Sequence, residues 1–155
     1  ENMDTPTALI FSRQNVKSLP QGTDYQQTRK GAYIVTGSDE QFDVILVASG
    51  SEVSTCVAGA ELLRKDGVKV RVVSAPSEGL FRRQSKEYQE QILPRDAKIF
   101  GLTAGLPVTI EGLVGANGKV FGLNSFGFSA PYTVLDEKLG FTPENVYKQV
   151  KAFLA

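Results

Sequence analysis

The strongest constraint on the fold of this chain is a strand signal that leads through a glycine turn into an amphipathic helix. Val44 to Ala48 is continuously apolar, which is typical of a parallel strand covered on both faces. After the turn Ser49-Gly50-Ser51, apolar residues recur at helical spacing along one face: Val53, Cys56, Val57, Ala60 and Leu63. Gly67 predicts a left-handed helix stop, and Val68 to Ser74 predicts the next strand. This unit therefore predicts a strand–helix–strand crossover of an α/β domain.

The same alternation continues on both sides of this unit. Further strand signals occupy four segments: Thr7 to Ser12, Ala32 to Val35 (an edge strand), Ala97 to Leu102, and Lys119 to Asn124. Further helix signals lie in four places: Ser77 to Leu93, Val108 to Val114, the stretch after Ser129 that ends at Gly140, and the stretch after Thr142. Residues 18–30 predict a loop. The alternation predicts a three-layer α/β/α domain.

The predicted helix starts carry recognisable capping signals. We expect Ser49 or Ser51 to cap the first helix, and Ser129 to cap a later helix with Pro131 in its first turn. We expect Thr142 and Pro143 to open the last helix in the same way.

The composition excludes several classes of function. The chain has 155 residues, the size of one domain, and it contains no histidine and a single cysteine. A Ser-His-Asp triad and the usual zinc sites therefore cannot be built from it. The 17 basic and 17 acidic side chains balance, so no charge footprint indicates nucleic acid or a membrane surface. No apolar run is long enough to span a bilayer.

Arg13 is the most informative candidate for a ligand-binding residue. It comes directly after the apolar run Thr7 to Ser12, and ligands of open α/β sheets gather beyond the carboxyl ends of strands. A guanidinium can hold a phosphate through two parallel hydrogen bonds. Position alone nevertheless favours a surface arginine at the end of an edge strand.

The turn Ser49-Gly50-Ser51 is a second candidate, because a turn between strand and helix can hold a phosphate on the helix N-terminus. It lacks the glycines of the dinucleotide motif and the lysine of a P-loop, and Glu52 would repel an anion there. These features favour an ordinary capped helix start. Cys56 lies on the apolar face of the predicted helix, which predicts a buried and unreactive thiol.

Three other groups of residues are weaker candidates for a functional role. Arg82 and Arg83 with Lys86 are typical of a solvated basic face, and Glu111 is a lone carboxylate without a partner for acid–base catalysis. Phe126 and Phe128 lie in a predicted loop and would indicate a partner surface if they are exposed. From the residues alone, we therefore expect an α/β domain without catalytic machinery of its own.

The chain resembles the C-terminal domain of the transketolase family in several short segments that occur in the family's order. The resemblance covers roughly Pro6 to Leu154 and rests on five segments: Pro6 to Asn15 with its Ser-Arg-Gln-Asn motif, Ala48 to Val53, Val72 to Ser77, Phe126 to Pro131 (Phe-Gly-Phe-Ser-Ala-Pro), and Leu139 to Thr142. Two places depart from common family forms, Phe128 where a polar residue is frequent and Gly101 to Gly105 where the family usually carries Glu-Ala.

The resemblance implies a mostly parallel sheet of about five strands with an antiparallel edge strand. It implies an enzyme of the pentose phosphate pathway, a cytoplasmic homodimer that transfers a two-carbon ketol unit between sugar phosphates. Thiamine diphosphate and a divalent metal, Mg or Ca, would be bound by domains absent from this chain, so we expect no catalytic, cofactor or metal residues here. The resemblance assigns Arg13 to the substrate phosphate, with Ser12 and Gln14 as supporting neighbours.

The expected organisation is a linker at residues 1–5 from a missing upstream domain, followed by the C-terminal domain at residues 6–155, which we expect to be inactive alone. Glu1 is not an initiator methionine. Two alternatives stay open. One is a related thiamine-diphosphate enzyme, a deoxyxylulose-phosphate synthase or the β-subunit of a 2-oxoacid dehydrogenase. The other is a stand-alone α/β binding module that holds a small anion at Ser49 to Glu52.

Overall fold

The protein folds around one mixed sheet of five strands within the residues that the computed structural model describes, 6–12, 14–19, 25–37 and 41–155. The strands are β1 (Tyr33–Thr36), β2 (Val44–Ala48), β3 (Val70–Ser74), β4 (Ile99–Leu102) and β5 (Lys119–Phe121). Their order across the sheet is β1-β3-β2-β4-β5. β1 is antiparallel to β3, and the other pairs are parallel. The predicted sheet with its antiparallel edge strand is therefore confirmed.

Helices cover both faces of this sheet. In the described ranges they are a 3-10 helix (Tyr25–Lys30), α1 (Glu52–Lys65), α2 (Glu78–Arg82), α3 (Lys86–Ile92), α4 (Val108–Val114), α5 (Tyr132–Leu139) and α6 (Pro143–Leu154). α1 and α6 contribute to the apolar core on one face, whereas α2, α3 and α4 contribute to the core on the other face. The predicted three-layer α/β/α architecture is confirmed.

Strand β2 shows why its five residues are all apolar. Successive side chains of a strand point to opposite faces of the sheet. Val44, Leu46 and Ala48 belong to the core beneath α1 and α6, and Ile45 and Val47 belong to the core beneath α2 to α4. Because both faces are covered, every residue of β2 is buried.

Several predicted helix ends are confirmed by their backbone geometry. Gly67 after α1 and Gly140 after α5 have φ of +80° and +83°, in the left-handed region that glycine adopts without strain. Thr142 caps α6, because its side chain accepts a hydrogen bond from the Asn145 N–H and Pro143 stands at the helix start.

Two capping predictions are wrong. Ser51 precedes α1, but its hydroxyl donates to Glu52 Oε1 at 2.7 Å and does not accept from the helix backbone. Ser51 has helical backbone angles, φ of −62° and ψ of −31°, whereas a capping residue is typically extended so that its side chain reaches the helix N–H groups. Ahead of α5, the residue at the cap position is Pro131 itself, so Ser129 lies too early to cap it.

The strand predicted at Thr7 to Ser12 is also wrong. These residues form no strand, and the side chains of Leu9, Ile10 and Phe11 are 73%, 95% and 80% exposed. An apolar β-prone run becomes a strand when a sheet edge pairs with it, and here β1 and β5 form the two edges of the sheet.

Two predicted segments differ in detail. The helix predicted over Ser77 to Leu93 is two helices, because Ser77 caps α2 and Ser85 caps α3, each through its side-chain oxygen. The loop predicted over residues 18–30 contains the 3-10 helix Tyr25–Lys30. Each serine side chain accepts a hydrogen bond from a backbone N–H and so begins a separate helix, although the apolar pattern of the surrounding residues is continuous.

Candidate functional site

The connections that leave the carboxyl ends of β2 and β4 diverge to opposite faces of the sheet. β2 leads through Ser49-Gly50-Ser51 into α1 on one face, and β4 leads through residues 103–107 into α4 on the other. β2 and β4 are neighbours in the sheet. Open α/β sheets bind ligands in the crevice that such a divergence creates. This edge is therefore the candidate site, and Gly50 makes its turn with φ of +62°.

The segment that precedes β1 passes this crevice. Ser12 Oγ lies 3.6 Å from the position that a Cβ on Gly50 would take. Farther along, Lys17, Ser18 and Leu19 line a groove of about 260 Å³ against α1. The segment thus runs from the N-terminal end of α1 along its side. Arg13 lies outside the described residues, although its neighbour Ser12 is at the carboxyl end of β2.

Glu52 is the charged side chain that the fold brings into the crevice. Its carboxylate accepts a hydrogen bond from Ser51 Oγ at 2.7 Å. Burial raises the pKa of Glu52 above its ordinary value and the Asp136 charge raises it further, whereas hydrogen bonding to the carboxylate, chiefly from Ser51, opposes the rise. The sequence predicts that Glu52 repels an anion at this turn, but it does not predict the burial of Glu52 or the charge of Asp136, which comes from a distant segment.

Asp136 of α5 is the second partly buried carboxyl near this edge. Burial raises its pKa as well. Because the negative charge of Asp136 disfavours ionisation of Glu52, the turn Ser49 to Glu52 is an acidic environment rather than an anion site. The structure therefore gives no support to the small-anion site of the stand-alone module.

Apolar side chains crowd the surface beyond the same edge of the sheet. Phe126 and Phe128 follow β5 and are 97% and 65% exposed. Other large apolar side chains exposed after β4 and along α5 are Leu106, Val108, Tyr132 and Val134. The predicted exposure of the two phenylalanines is confirmed. An apolar surface of this kind is typical of an interaction face.

The structure also settles the weaker candidates. Cys56 is fully buried, which confirms its predicted burial, and burial followed by the nearby Glu52 charge raises the pKa of its thiol. Arg82 is engaged by Glu78 at 2.6 Å and donates to the Gly112 carbonyl at 3.0 Å. Glu111 is exposed on α4.

A second cavity lies away from the crevice. It has about 780 Å³ and runs between α3 and α4. Its rim alternates basic and acidic side chains, including Lys86, Glu90, Arg95 and Asp96, over an apolar floor. The residues Pro94 to Asp96 precede β4, so this groove is near the amino end of the strand, where ligands of open α/β sheets are not expected.

Across residues 6–12, 14–19, 25–37 and 41–155, no three His, Cys, Asp or Glu side chains group closely enough to hold a metal ion. The described residues therefore offer no donor set for a metal-bound diphosphate cofactor. None of the helices in the described part of the chain has the length and apolar character needed to cross a bilayer.

Comparison with known proteins gives consistent matches. Residues 31–142 match the model of the transketolase-like TK C-terminal domain. A transketolase of Staphylococcus epidermidis is 44% identical over 155 residues, which are 98% of this chain and 23% of the relative. Transketolase 2 of Vibrio parahaemolyticus is 43% identical over 157 residues, covering 100% of this chain and 24% of the relative.

A solved structure agrees with these matches. The transketolase of Pichia stipitis in complex with sedoheptulose 7-phosphate superimposes with a TM-score of 0.83 at 32% identity, over 92% of this chain and 20% of that one. The chain thus spans about a quarter of the length of the curated relatives it matches.

Proposed function

Because the chain belongs to the transketolase-like C-terminal domain family, we propose that it acts as part of a transketolase, an enzyme that transfers a two-carbon ketol unit between sugar phosphates. The observation that carries this proposal is 44% identity to a transketolase over almost the whole chain. The Pichia stipitis relative, which was solved with sedoheptulose 7-phosphate, supports sugar phosphates as the substrate class. The place of the enzyme is then the pentose phosphate pathway, in the cytoplasm.

The catalytic groups are assigned to the parts of the enzyme that this chain does not span. Transketolase relatives are about four times as long as the chain. Thiamine diphosphate and a divalent metal would be held there, and thiamine diphosphate would supply the carbanion chemistry. This chain contributes to the shape of the crevice and to substrate binding at the carboxyl edge of its sheet.

Arg13 is the residue that we assign to the substrate phosphate. One observation supports the assignment: Ser12 lies beside Gly50 at the carboxyl end of β2, which is where ligands of such sheets gather. Residues 6–155 form the proposed domain, and residues 1–5 the proposed linker to the preceding domain.

The exposed apolar surface favours a structural role for this domain in the assembled enzyme. Phe126, Phe128 and the segment Leu9 to Phe11 are largely exposed. Exposed large apolar side chains are costly for a soluble domain and are typical of surfaces that a partner covers. We assign this surface to contact with the rest of a homodimeric transketolase.

Ketol transfer by two forms of the protein tests the proposal. A full-length protein that carries this chain should transfer ketol units from xylulose 5-phosphate to ribose 5-phosphate when thiamine diphosphate and Mg²⁺ are present. The 155-residue chain should show no turnover under the same conditions. Turnover by the chain alone, or a full-length protein that does not transfer ketol units, would contradict the proposal.

A further inference from the structure

An arm without helix or strand, residues 6–12 and 14–19, precedes the first strand of the sheet. Its side chains are exposed, except that Gln14 and Leu19 are partly buried. Leu19 packs against the apolar core beneath α1 and α6, and it lines a groove on α1 together with Val57. The arm is therefore attached to the fold at its carboxyl end.

The arm makes a second contact at the turn between β2 and α1. Gly50 forms this turn with φ of +62°, and a Cβ added to Gly50 would lie 3.6 Å from Ser12 Oγ. Among the described atoms outside the turn itself, Ser12 Oγ is the only heavy atom within 4 Å of that position. The space that a side chain at Gly50 would enter is therefore bordered by the arm.

The contact at Ser12 matters for Arg13 because the two residues are adjacent in the chain. Consecutive Cα atoms are about 3.8 Å apart, so the position of Ser12 limits where the Arg13 side chain can begin. Leu19 comes six residues after Arg13, and six extended residues can span about 20 Å. The attachment at Leu19 alone would therefore leave Arg13 wide freedom, whereas the contact at Ser12 restricts it closely.

We propose that Gly50 is a positioning residue, which leaves room for Ser12 beside the β2–α1 turn and so places Arg13 for the substrate phosphate. This role rests on the proposed function and adds a residue to it. Gly50 does not touch the substrate and acts through Ser12. Bidentate binding of a phosphate requires an oriented guanidinium, and a displacement of about 1 Å in a positioned group can lower a rate by about 100-fold.

Two substitutions of Gly50 separate the space beside the turn from the backbone conformation of the turn. A left-handed φ strains alanine more than asparagine, because asparagine adopts this region more readily. An alanine Cβ would lie at an ordinary contact distance of 3.6 Å from Ser12 Oγ, whereas asparagine adds further atoms that compete with Ser12 for space. Backbone strain alone would make Gly50→Ala the more harmful change for substrate binding, but the positioning role makes Gly50→Asn the more harmful one.

Kinetics of full-length transketolase carrying this chain test the positioning role. Gly50→Asn should raise KM for sugar phosphates by about tenfold, with little change in kcat and less than about a twofold change for an unphosphorylated donor. The conservative variant Gly50→Ala should raise KM by less than about threefold. The control is Gly67→Asn, at a glycine with φ of +80° and nothing within 4 Å of an added Cβ, and it should change neither constant.

Cysteine cross-linking tests the contact without an enzyme assay. The Cβ atoms of a disulfide are about 3.5–4.5 Å apart, and the 3.6 Å from Ser12 Oγ to the Cβ position of Gly50 brings the two residues within this reach. Ser12→Cys with Gly50→Cys should therefore form an intrachain disulfide in the presence of oxidised glutathione. Ser12→Cys with Gly67→Cys should not, because the 14 residues of α1 separate its two ends by about 21 Å.

The two experiments distinguish the ways in which the proposal can fail. Absence of the disulfide between residues 12 and 50 would refute the contact, and this readout survives even if Gly50→Asn does not fold. A normal KM in Gly50→Asn, or an equal rise in Gly50→Ala, would overturn the positioning role although the unchanged enzyme is active. A full-length protein that carries the unchanged chain and transfers no ketol units would refute the proposed function instead.

Discussion

Replacing Gly59 by alanine tests whether α1, the helix that begins at the candidate site, is seated on α6 as closely as the structure describes. Gly59 is buried on α1 and faces α6. A Cβ at this position would lie 2.8 Å from Val146 Cγ1, 3.0 Å from Val146 Cβ and 3.3 Å from the Pro143 carbonyl oxygen. Carbon atoms pack best at about 3.5–4.0 Å, so one helix has to move away by roughly 0.5–1 Å.

Two opposing effects set the size of the change. Alanine is favoured over glycine inside a helix by about 0.8–1.0 kcal/mol. Overpacking a well-packed core costs about 1–3 kcal/mol. Val146 has little freedom to yield, because it is fully buried and a β-branched side chain in a helix has one strongly preferred rotamer. The clash therefore outweighs the propensity gain, and we expect Gly59→Ala to lower the free energy of unfolding by about 0.5–2 kcal/mol.

The assay is urea unfolding followed by circular dichroism, with Gly79→Ala as the matched control. Gly79 is in α2, and nothing lies within 4 Å of a Cβ placed on it. Its replacement should raise the free energy of unfolding, by up to about 1 kcal/mol. Adding Val146→Ala to Gly59→Ala should recover at least about 0.5 kcal/mol relative to additive effects. If Gly59→Ala stabilises the protein as Gly79→Ala does, the close contact between α1 and α6 is refuted.

Two further predictions concern a buried thiol and an exposed carboxylate. Cys56 is fully buried with a raised pKa, so a thiol reagent should label one cysteine per chain in denaturant and almost none in native buffer; rapid native labelling would contradict its burial. Asp66 accepts from the Tyr147 hydroxyl at 2.6 Å and pairs with Lys151 at 3.2 Å, and these contacts lower its pKa below the ordinary 3.8. Its stabilising effect is therefore present above pH 3.8 and lost as the pH falls through the lowered pKa, so Tyr147→Phe should destabilise the protein at pH 7 and much less in strong acid. An equal effect of Tyr147→Phe at both pH values, measured by urea unfolding, would refute this link.

The central strands and helix α1 could be predicted from the sequence because their signals are local. β2 is apolar throughout since both of its faces are covered, and the α1 pattern repeats at helical spacing. Three residues mark helix ends by local chemistry. Gly67 and Gly140 adopt a left-handed backbone after a helix, and Thr142 supplies the side-chain acceptor that caps one. Family resemblance added the antiparallel edge strand.

Features that depend on distant partners could not be predicted in the same way. Residues 7–12 have the composition of a strand, but no sheet edge pairs with them here. Ser51 is a residue type that often caps helices, but its backbone is already helical and its side chain accepts no helix N–H. The Asp136 charge that acts on Glu52 comes from a distant segment of the chain, which the fold brings close to the start of α1. Arg13 stays a prediction from the family resemblance, because it lies outside the described residues.

The exposure of the apolar surface also depends on distant parts of the chain. Phe126 and Phe128 lie in a loop by sequence, and their exposure became clear from the fold. A sequence pattern does not distinguish an aromatic residue that packs on its own core from one that a partner covers. Phe121 is the counterexample, since it packs edge-to-face against Phe141 with ring centroids 5.5 Å apart.

The most direct measurement of the central claim compares phosphorylated and unphosphorylated substrates in full-length transketolase carrying Arg13→Ala. Loss of a charged hydrogen-bond partner of the phosphate should cost about 1.5–3 kcal/mol, which is about 10- to 100-fold in kcat/KM, mainly through KM. The same change should leave kcat/KM for an unphosphorylated donor, such as hydroxypyruvate, within about twofold, and the control Arg29→Ala should affect neither substrate. Equal losses for the two substrate types, or no loss for either, would contradict the account.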